Sequence, residues 1–237
     1  MQLWQSSAQD FVSNLVKQFA KQVAELIASI AVVIPVGVYR GQALLVGAER
    51  AFPGWSQLFS LLPGHIGIYL RRVFYRMVLP ACGRDVCISF GTVFSHPTVT
   101  LGDRVYIGIG CMVGDVTLED DALVGSHVSI INGRRQHGIE RLDIPVREQP
   151  GEYPRVVIGQ DAWIGDRAVV TVNVGRQAVV GAAAVVTKPV PDFAIVVGNP
   201  ARIHGFREQS GDTAMAVMAS ETSLSPTSEH PSKAVST

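Results

Sequence analysis

An apolar residue recurs at about every sixth position through most of the second half of the chain. A repeat this short leaves room for one brief strand, and it is typical of a solenoid in which each coil buries its apolar residues against the next. Three such strands make one triangular coil, so the series predicts about five coils stacked at strand spacing, roughly 4.8 Å. Grouped by coil, the apolar positions are Cys82, Ile88 and Phe94; Leu101, Ile107 and Val113; Leu118, Val124 and Ile130; Ile158, Ile164 and Val170; Val174, Val180 and Val186.

The residues between these positions support the same fold. Gly commonly follows the apolar residue, as in LGDRVY, IGIGCM and IGQDAW, and a small or β-branched residue commonly sits four places after it. We therefore predict a mainly β domain over residues 81–207. A different composition follows in residues 208–237, where seven Ser and four Thr accompany few apolar anchors. That composition predicts a disordered tail.

Residues 1–80 follow a helical pattern instead. Apolar side chains recur at helical spacing through residues 11–34, and the chain is then apolar from Leu26 to Tyr39, where Pro35 and Gly37 interrupt it. This run of fourteen residues is shorter than the roughly 20 that a membrane-spanning helix needs. We therefore expect an α-helical N-terminal region that does not span a membrane.

A second helical segment, HIGIYLRRVFYRMVL, sets Arg71, Arg72 and Arg76 beside a large apolar face. Basic amphipathic helices often lie on membrane surfaces, whereas most amphipathic helices simply cover a protein core. The sequence leaves both interpretations open, and peripheral membrane contact through residues 1–80 is one of our hypotheses.

Charge and cysteine content restrict the possible partners and compartment. The chain has 20 Lys and Arg against 20 Asp and Glu, so no global field draws it to nucleic acid. Its three cysteines include no CxxC pair, which favours a reducing, cytoplasmic compartment over a disulfide framework or a zinc site. For Cys111 we expect the role of a small buried residue rather than a reactive thiol.

One polar segment interrupts the repeat between the third and fourth coils. It reads IINGRRQHGIERLD, and it crowds charges into a region where they otherwise appear singly. We predict that residues 131–157 leave the coil as a loop that carries His137. An imidazole with an ordinary pKa near 6.5 can exchange a proton at neutral pH, so this histidine is a candidate catalytic base.

The C-terminal run IGQDAWIGDRAVV…VGAAAVVTKPVPDFAIVVGNPARI carries a family resemblance. Its WIG step, GAxxVVTK turn and GNPAR tail resemble the hexapeptide-repeat acyltransferases, and in particular the sugar O-acetyltransferases and xenobiotic acetyltransferases. The resemblance covers residues 82–207. It implies a left-handed parallel β-helix, a hand that the periodicity itself does not give because right-handed crossovers are the general rule.

The resemblance also implies a mechanism. The loop histidine, here His137, would act as general base on the acceptor hydroxyl as that hydroxyl attacks the thioester of acetyl-CoA. Direct attack needs no covalent intermediate and no metal. Glu140 or Asp143 could orient the ring.

Acetyl-CoA in this family lies in a groove along adjacent coils, usually between two subunits of a homotrimer. Its contacts map onto residues of the last coils, and two of them are cations that can meet phosphate charge. The residues implied are Trp163, Asp166, Ala182, Thr187, Lys188 and Arg202.

The acceptor site departs from the family pattern. Gly110 stands where an Asn often precedes the Cys, and Gly205 stands where a second phosphate-binding Arg can occur. Acceptor binding must therefore be built differently, and the candidates are His96, His127, Arg134 and Arg135.

The apolar, basic leader favours a lipid-linked saccharide acceptor at the inner face of the cytoplasmic membrane, in exopolysaccharide or lipopolysaccharide biosynthesis. Three alternatives stay open. One is a serine or antibiotic acetyltransferase, and another is a non-catalytic hexapeptide scaffold. The third, a zinc hydratase of the γ carbonic anhydrase type, needs an HxxxxH pair, whereas His127 and His137 are ten residues apart.

Overall fold

The structure is a computed structural model that describes residues 2–207, apart from the side chains of residues 2–14, 17 and 20. The tail for which the sequence predicts disorder, residues 208–237, lies outside the described residues. Helices and coils together form one compact unit that ends at Phe206.

Three helices precede the coils: α1 (Gln2–Val46), α2 (Ala48–Ser60) and α3 (Gly64–Val78). Pro35 lies inside α1 without ending it. The helix continues past Pro35 and Gly37, so it is longer than the apolar run from Leu26 to Tyr39. By length and composition alone, the 26 residues Lys21–Val46 could cross a membrane.

Sixteen short strands follow in the described part of the chain, and almost all are two or three residues long. Their bounds are β1 Ala81–Cys82, β2 Cys87–Ile88, β3 Val93–Phe94, β4 Thr100–Leu101, β5 Tyr106–Ile107, β6 Met112–Val113, β7 Val116–Leu118, β8 Leu123–Val124, β9 Ser129–Ile130, β10 Val156–Ile158, β11 Trp163–Ile164, β12 Val169–Val170, β13 Val179–Val180, β14 Val185–Val186, β15 Ala194–Val197 and β16 Arg202–Phe206.

The strands form three parallel sheets, one for each side of a triangular coil. The first sheet has the order β1-β4-β7-β10, the second β2-β5-β8-β11-β13-β15 and the third β3-β6-β9-β12-β14. Strand β16 adds to the edge of the second sheet antiparallel to β15. The predicted parallel β-helix is confirmed.

The core is the predicted series of apolar residues. Every predicted position from Ile88 to Val186 is buried, and only Cys82, at the start of the first coil, is partly exposed. Val174 continues the first sheet through single bridges to Ile158 and Val190. The five predicted coils are present, and Val190 and Val196 begin a sixth. Cys111 is buried as expected, and burial raises the pKa of its thiol.

The helices close the N-terminal end of the β-helix. Backbone N–H groups of each coil donate to carbonyls of the next coil, as Cys87 does to Val105, so the first coil has carbonyls with no preceding coil to bind. Arg71 Nε donates to the Ile88 carbonyl over 2.8 Å, and Arg72 Nε donates to the Val86 carbonyl over 2.5 Å. Of the two interpretations of α3, the structure therefore supports the one in which the helix covers the core.

The outer side of α1 is apolar and exposed. Ala28, Val32, Val36 and Tyr39 face inward and are buried. The opposite side exposes Val23, Leu26, Ile27, Ile30, Val33, Ile34 and Val38. Residues 22–39 include one charged residue, Glu25, which pairs with Arg72 Nη1 over 2.9 Å. An apolar surface of this extent on a soluble protein commonly marks a contact with a membrane or with another protein.

Candidate active site

The polar segment forms a structured loop that leaves the coil after β9 and returns at β10. Its last residue is therefore Arg155, two residues earlier than predicted. The two arms of the loop touch: the Glu152 N–H donates to the Arg135 carbonyl over 2.7 Å. Farther out, the buried Gln149 side chain binds both backbone groups of Arg141, at 2.6 and 3.1 Å. These bonds give the loop a defined shape.

Asn132 and Arg155 anchor the base of the loop to the coil. The buried Asn132 amide accepts from the Asp115 N–H (2.8 Å) and donates to the carbonyls of Asp115 (2.7 Å) and Pro154 (3.1 Å). Arg155 Nη2 binds the Asp115 carboxylate at 2.7 Å and the Thr98 carbonyl at 2.6 Å. Sequence reasoning missed Asn132, Asp115 and Arg155. The Asn-Gly pair at the start of the loop was the available signal, since this pair is common where a chain turns.

His137 is exposed on the outgoing arm of this loop. No hydrogen bond joins its ring to any residue in the described part of the chain. Neither proposed orienting carboxylate contacts it: Glu140 accepts from the Ile139 N–H over 2.9 Å, and Asp143 accepts from Arg141 Nε over 3.0 Å. The bonds from Arg141 hold the pKa of Asp143 below its ordinary value. No carboxylate among the described side chains is hydrogen-bonded to the imidazole.

The acceptor candidates fall into two groups. Arg134 and Arg135 are exposed on the same arm as His137. His96 lies elsewhere, on the first coil, where its Nδ1 is 3.1 Å from a carboxylate oxygen of Glu49 in α2. The structure therefore places His96 against the helices and not with the loop.

His127 occupies the corner between β8 and β9, with a left-handed backbone (φ 57°). Its ring lies over Gly110 of the preceding coil, where a Cβ would stand only 2.6 Å from Nδ1 and 2.8 Å from Cε1. This packing explains the departure noted at Gly110, because a side chain there would compete with the His127 ring for the same space.

The implied acetyl-CoA residues belong to the fourth and later coils. Trp163 opens β11 and is 50% exposed. Asp166 and Ala182 lie at one corner on consecutive coils, where the Ala183 N–H donates to the Asp166 carbonyl over 2.8 Å. The Asp166 carboxylate accepts from the Ser126 N–H over 2.6 Å. That bond gives Asp166 a structural role in the turn, which Asp120 and Asp192 repeat on other coils.

The two implied phosphate-binding cations lie near the C-terminal end of the coil. Lys188 is exposed just after β14, and Thr187 beside it is half-buried. Both lie at the corner after the third sheet, the same corner from which the His137 loop leaves two coils earlier. Arg202 begins β16, and its Nη1 donates to the Ala201 carbonyl over 2.9 Å. Neither cation has a carboxylate partner among residues 2–207, so both are available to an anion.

Three comparisons place this architecture among known proteins. The sequence model of a family described as the hexapeptide repeat of succinyl-transferase matches residues 155–188. The matched segment lies in the fourth and fifth triangular coils, so the chain contains a hexapeptide repeat there.

A solved structure has the same fold. The hexapeptide-repeat acetyltransferase of Vibrio cholerae, in complex with acetyl coenzyme A, aligns to this protein with a TM-score of 0.59. The alignment covers 71% of this chain and 92% of that one at 22% identity.

Two curated relatives match part of the sequence. A serine acetyltransferase of Bacillus pumilus is 33% identical over 141 residues, which are 56% of this chain and 59% of the relative. A protein of Escherichia coli named for O-acetyl transfer in lipopolysaccharide biosynthesis is 32% identical over 120 residues, 48% of this chain and 60% of the relative. The chain therefore spans less than two thirds of the length of either.

The zinc alternative requires a cluster of metal ligands. Among residues 2–207, no three His, Cys, Asp or Glu side chains are grouped so that they could hold a metal ion. His127 and His137 belong to different segments, a coil corner and the loop arm, and no contact joins them in the described chain.

Proposed function

We propose that the chain is an acetyl-CoA-dependent O-acyltransferase that acts on a hydroxyl of a saccharide, with His137 as general base. The observation that carries the proposal is the anchored loop, which presents an exposed imidazole with Arg134 and Arg135 beside it. A free imidazole nitrogen can accept the proton of an acceptor hydroxyl within hydrogen-bond reach. Holding the base on an anchored loop lowers the entropic cost of reaching the reactive geometry.

The residues of the last coils fit acetyl-CoA as co-substrate. Lys188 and Arg202 are exposed cations that suit phosphate groups, and the exposed Trp163 offers an apolar wall. Bound acetyl-CoA would supply the thioester that the acceptor oxygen attacks. The chain would supply the proton acceptor, His137, which can return the proton to the departing thiolate.

A homotrimer is part of the proposal. Leu123 and Trp163 lie in register on neighbouring strands of the second sheet, and they are 43% and 50% exposed. An apolar pair of this kind is suited to burial against another copy, and a groove shared between identical coils requires a closed cyclic assembly.

The acceptor is proposed to be a lipid-linked sugar of exopolysaccharide or lipopolysaccharide assembly, met at the inner face of the cytoplasmic membrane. Two observations support it: the apolar outer side of α1, and the likeness to the Escherichia coli protein named for lipopolysaccharide biosynthesis. The second candidate is a serine acetyltransferase, which the Bacillus pumilus relative favours.

The test is thiol release from acetyl-CoA by the full chain, with a panel of sugars, with serine and with bacterial membrane extract. We expect extract to stimulate release. His137→Ala should reduce it by about 10²- to 10⁴-fold, the usual contribution of a general base, while acetyl-CoA binding persists.

The matched variants are His96→Ala and His127→Ala, which remove the other two candidate histidines. Unchanged turnover in His137→Ala, or an equal loss in either matched variant alone, would refute the assignment of the base. Turnover with serine and not with extract would favour the second candidate. Binding of acetyl-CoA without turnover on any acceptor would favour the scaffold.

A further inference from the structure

A pocket of about 240 Å³ lies where α3 meets the first two coils. Helix α3 contributes His65, Ile68 and Arg71, and the coils contribute Ser89, Phe90 and Tyr106. The pocket lies on the first two coils, whereas the implied acetyl-CoA residues belong to the fourth and later coils. Tyr106 is two strands from Trp163 in the second sheet. No acidic side chain lines the pocket among the described residues.

Arg71 is the unusual member of this pocket. It is fully buried, and all of its hydrogen bonds go to backbone carbonyls: Nε to Ile88 at 2.8 Å, and Nη1 to Leu62 at 2.6 Å and Phe59 at 3.2 Å. Its buried Nη2 has no hydrogen-bond partner in the described part of the chain. Carbonyl oxygens satisfy donors but carry no net charge, so the guanidinium charge has no counter-ion.

The neighbouring arginine provides an internal comparison. Arg72 also donates to a backbone carbonyl of the first coil, but a carboxylate of Glu25 lies 2.9 Å from its Nη1. Arg71 has no such acid among the side chains that the structure describes. An unpaired buried charge costs far more free energy than a paired one. Desolvation lowers the pKa of Arg71, although an arginine in a protein stays charged at physiological pH.

The other polar groups of the pocket suit the same kind of ligand. His65 is exposed at its mouth and can add positive charge, and the Tyr106 hydroxyl can donate a hydrogen bond. Phe90 and Ile109, 42% and 49% exposed, provide apolar walls. The pocket therefore combines hydrogen-bond donors, positive charge and a small apolar enclosure, and it lacks acids.

We propose that this pocket binds an oxyanion, the carboxylate or phosphate group of a small polar ligand. An oxygen of that group accepts from Arg71 Nη2 and neutralises the buried charge, while His65 and Tyr106 contact the same group at the mouth. The site is separate from the acetyl-CoA groove and goes beyond the proposed acyl transfer.

The first experiment measures binding to the full chain by calorimetric titration and by the shift in Tm. The probes are inorganic phosphate and glucuronate, with glucose as the uncharged sugar and sodium chloride at matched ionic strength as controls. A ligand that binds only the folded state stabilises it by RT ln(1 + L/Kd), where L is the free ligand concentration, and so raises Tm. We expect phosphate or glucuronate to bind and raise Tm while glucose and chloride do not, and the stronger of the two identifies the kind of oxyanion.

Variants localise the binding. His65→Ala and Tyr106→Phe change exposed side chains that the fold does not depend on, and each should weaken oxyanion binding about tenfold through loss of one charge-assisted bond. Arg71→Lys removes Nη2 and should abolish binding. The matched control is His204→Ala, an exposed histidine on β16, and it should bind as the unchanged protein does.

Two results would overturn the proposal. One is the absence of any anion-specific binding in the unchanged protein. The other is equal affinity in the unchanged protein, His65→Ala and Tyr106→Phe, which would place the anion elsewhere. Acetyl-CoA affinity, measured in the same variants, should stay unchanged. If it falls by the same factor, the pocket belongs to the acetyl-CoA site, and the separate site is refuted while acyl transfer is not.

Discussion

The anchoring of the loop by Asn132 leads to a prediction whose size follows from the structure. Asn132→Ala removes three hydrogen bonds at a buried position, to Asp115 N–H, Asp115 O and Pro154 O. Each is worth roughly 0.5–1.5 kcal/mol net, so we expect the loop to be held about 3 kcal/mol less tightly. Two of these bonds hold the start of the loop to the coil, and the third holds it to the returning arm. The lost free energy should therefore fall mainly on the loop.

Asn173→Ala is the matched control. Asn173 occupies the same corner one coil later, where its side chain accepts a single bond from the Val157 N–H over 2.9 Å and touches no part of the loop. Its removal should cost about 1 kcal/mol. Because Asn173 does not touch the loop, only the loss of about 3 kcal/mol in Asn132→Ala shifts loop opening, which corresponds to roughly a 150-fold difference in the population of an opened loop.

Limited proteolysis with trypsin measures that population, since Arg134 and Arg135 are cleavage sites on the outgoing arm. When loop opening and closing are fast, the cleavage rate follows the opened fraction. We expect Asn132→Ala to be cut there about 150 times faster than Asn173→Ala, and its thiol release to fall with little change in acetyl-CoA affinity. Equal cleavage rates in the two variants would show that Asn132 does not hold the loop, and the argument for a preorganised His137 would fail.

Three further predictions concern the coil and α1. Ile164→Ala, at a fully buried position, should lower the free energy of unfolding by about 2–5 kcal/mol in denaturant titration. A smaller loss would mean that the core collapses around the cavity. Gly165→Ala would set a Cβ only 2.5 Å from the backbone nitrogen of Ala182 and should lower Tm sharply. In Gly41→Ala the added Cβ meets open space in α1. The higher helix propensity of Ala, worth about 1 kcal/mol, should keep or raise Tm. Similar Tm values in the two variants would contradict this. Burial raises the pKa of the Cys82 thiol to about 11 from 9.0, so the folded state holds this proton more tightly. The stability that this proton contributes is complete below pH 9.0 and is lost as the pH rises to about 11. The free energy of unfolding, measured against pH, should therefore decline less over this range in Cys82→Ala.

The capping of the first coil has a general physical reason. A β-helix ends in rows of backbone groups that a further coil would pair, and such edges invite association with other chains. Here two arginine side chains supply the donors that the absent coil lacks, and Tyr75 packs edge-on against Phe94 at 4.7 Å. The helices therefore do more than precede the domain, because they complete its N-terminal hydrogen bonding.

The apolar residues at every sixth position could be predicted from the sequence because their burial depends on local periodicity. A residue such as Ile107 or Ile164 points inward wherever three short strands close a triangle, whatever else the chain does. The loop with His137 was also visible, since a cluster of charges cannot fit an apolar repeat. The resemblance added the phosphate-binding roles of Lys188 and Arg202, which stay predictions.

Contacts between distant segments could not be predicted in the same way. The sequence around Pro35 does not indicate that α1 continues through it. The helix continues because packing of α1 against α2 and α3 outweighs the loss of one helical hydrogen bond. The pairing of His96 with Glu49 joins residues 47 positions apart. The contact of the His127 ring with Gly110 likewise depends on how two coils stack.

The sequence by itself determined the repeating coil, its buried residues, the position of the loop and the candidate base, because each follows from the order of neighbouring side chains. Only the tertiary structure decided that Asn132 and Arg155 fix the loop, that Arg71 and Arg72 cap the first coil and that Arg71 has no counter-ion among the described side chains. These depend on which polar groups meet after folding. A periodic pattern specifies which side chains turn inward, but the partners of a buried charge are set by segments that are far apart in the chain.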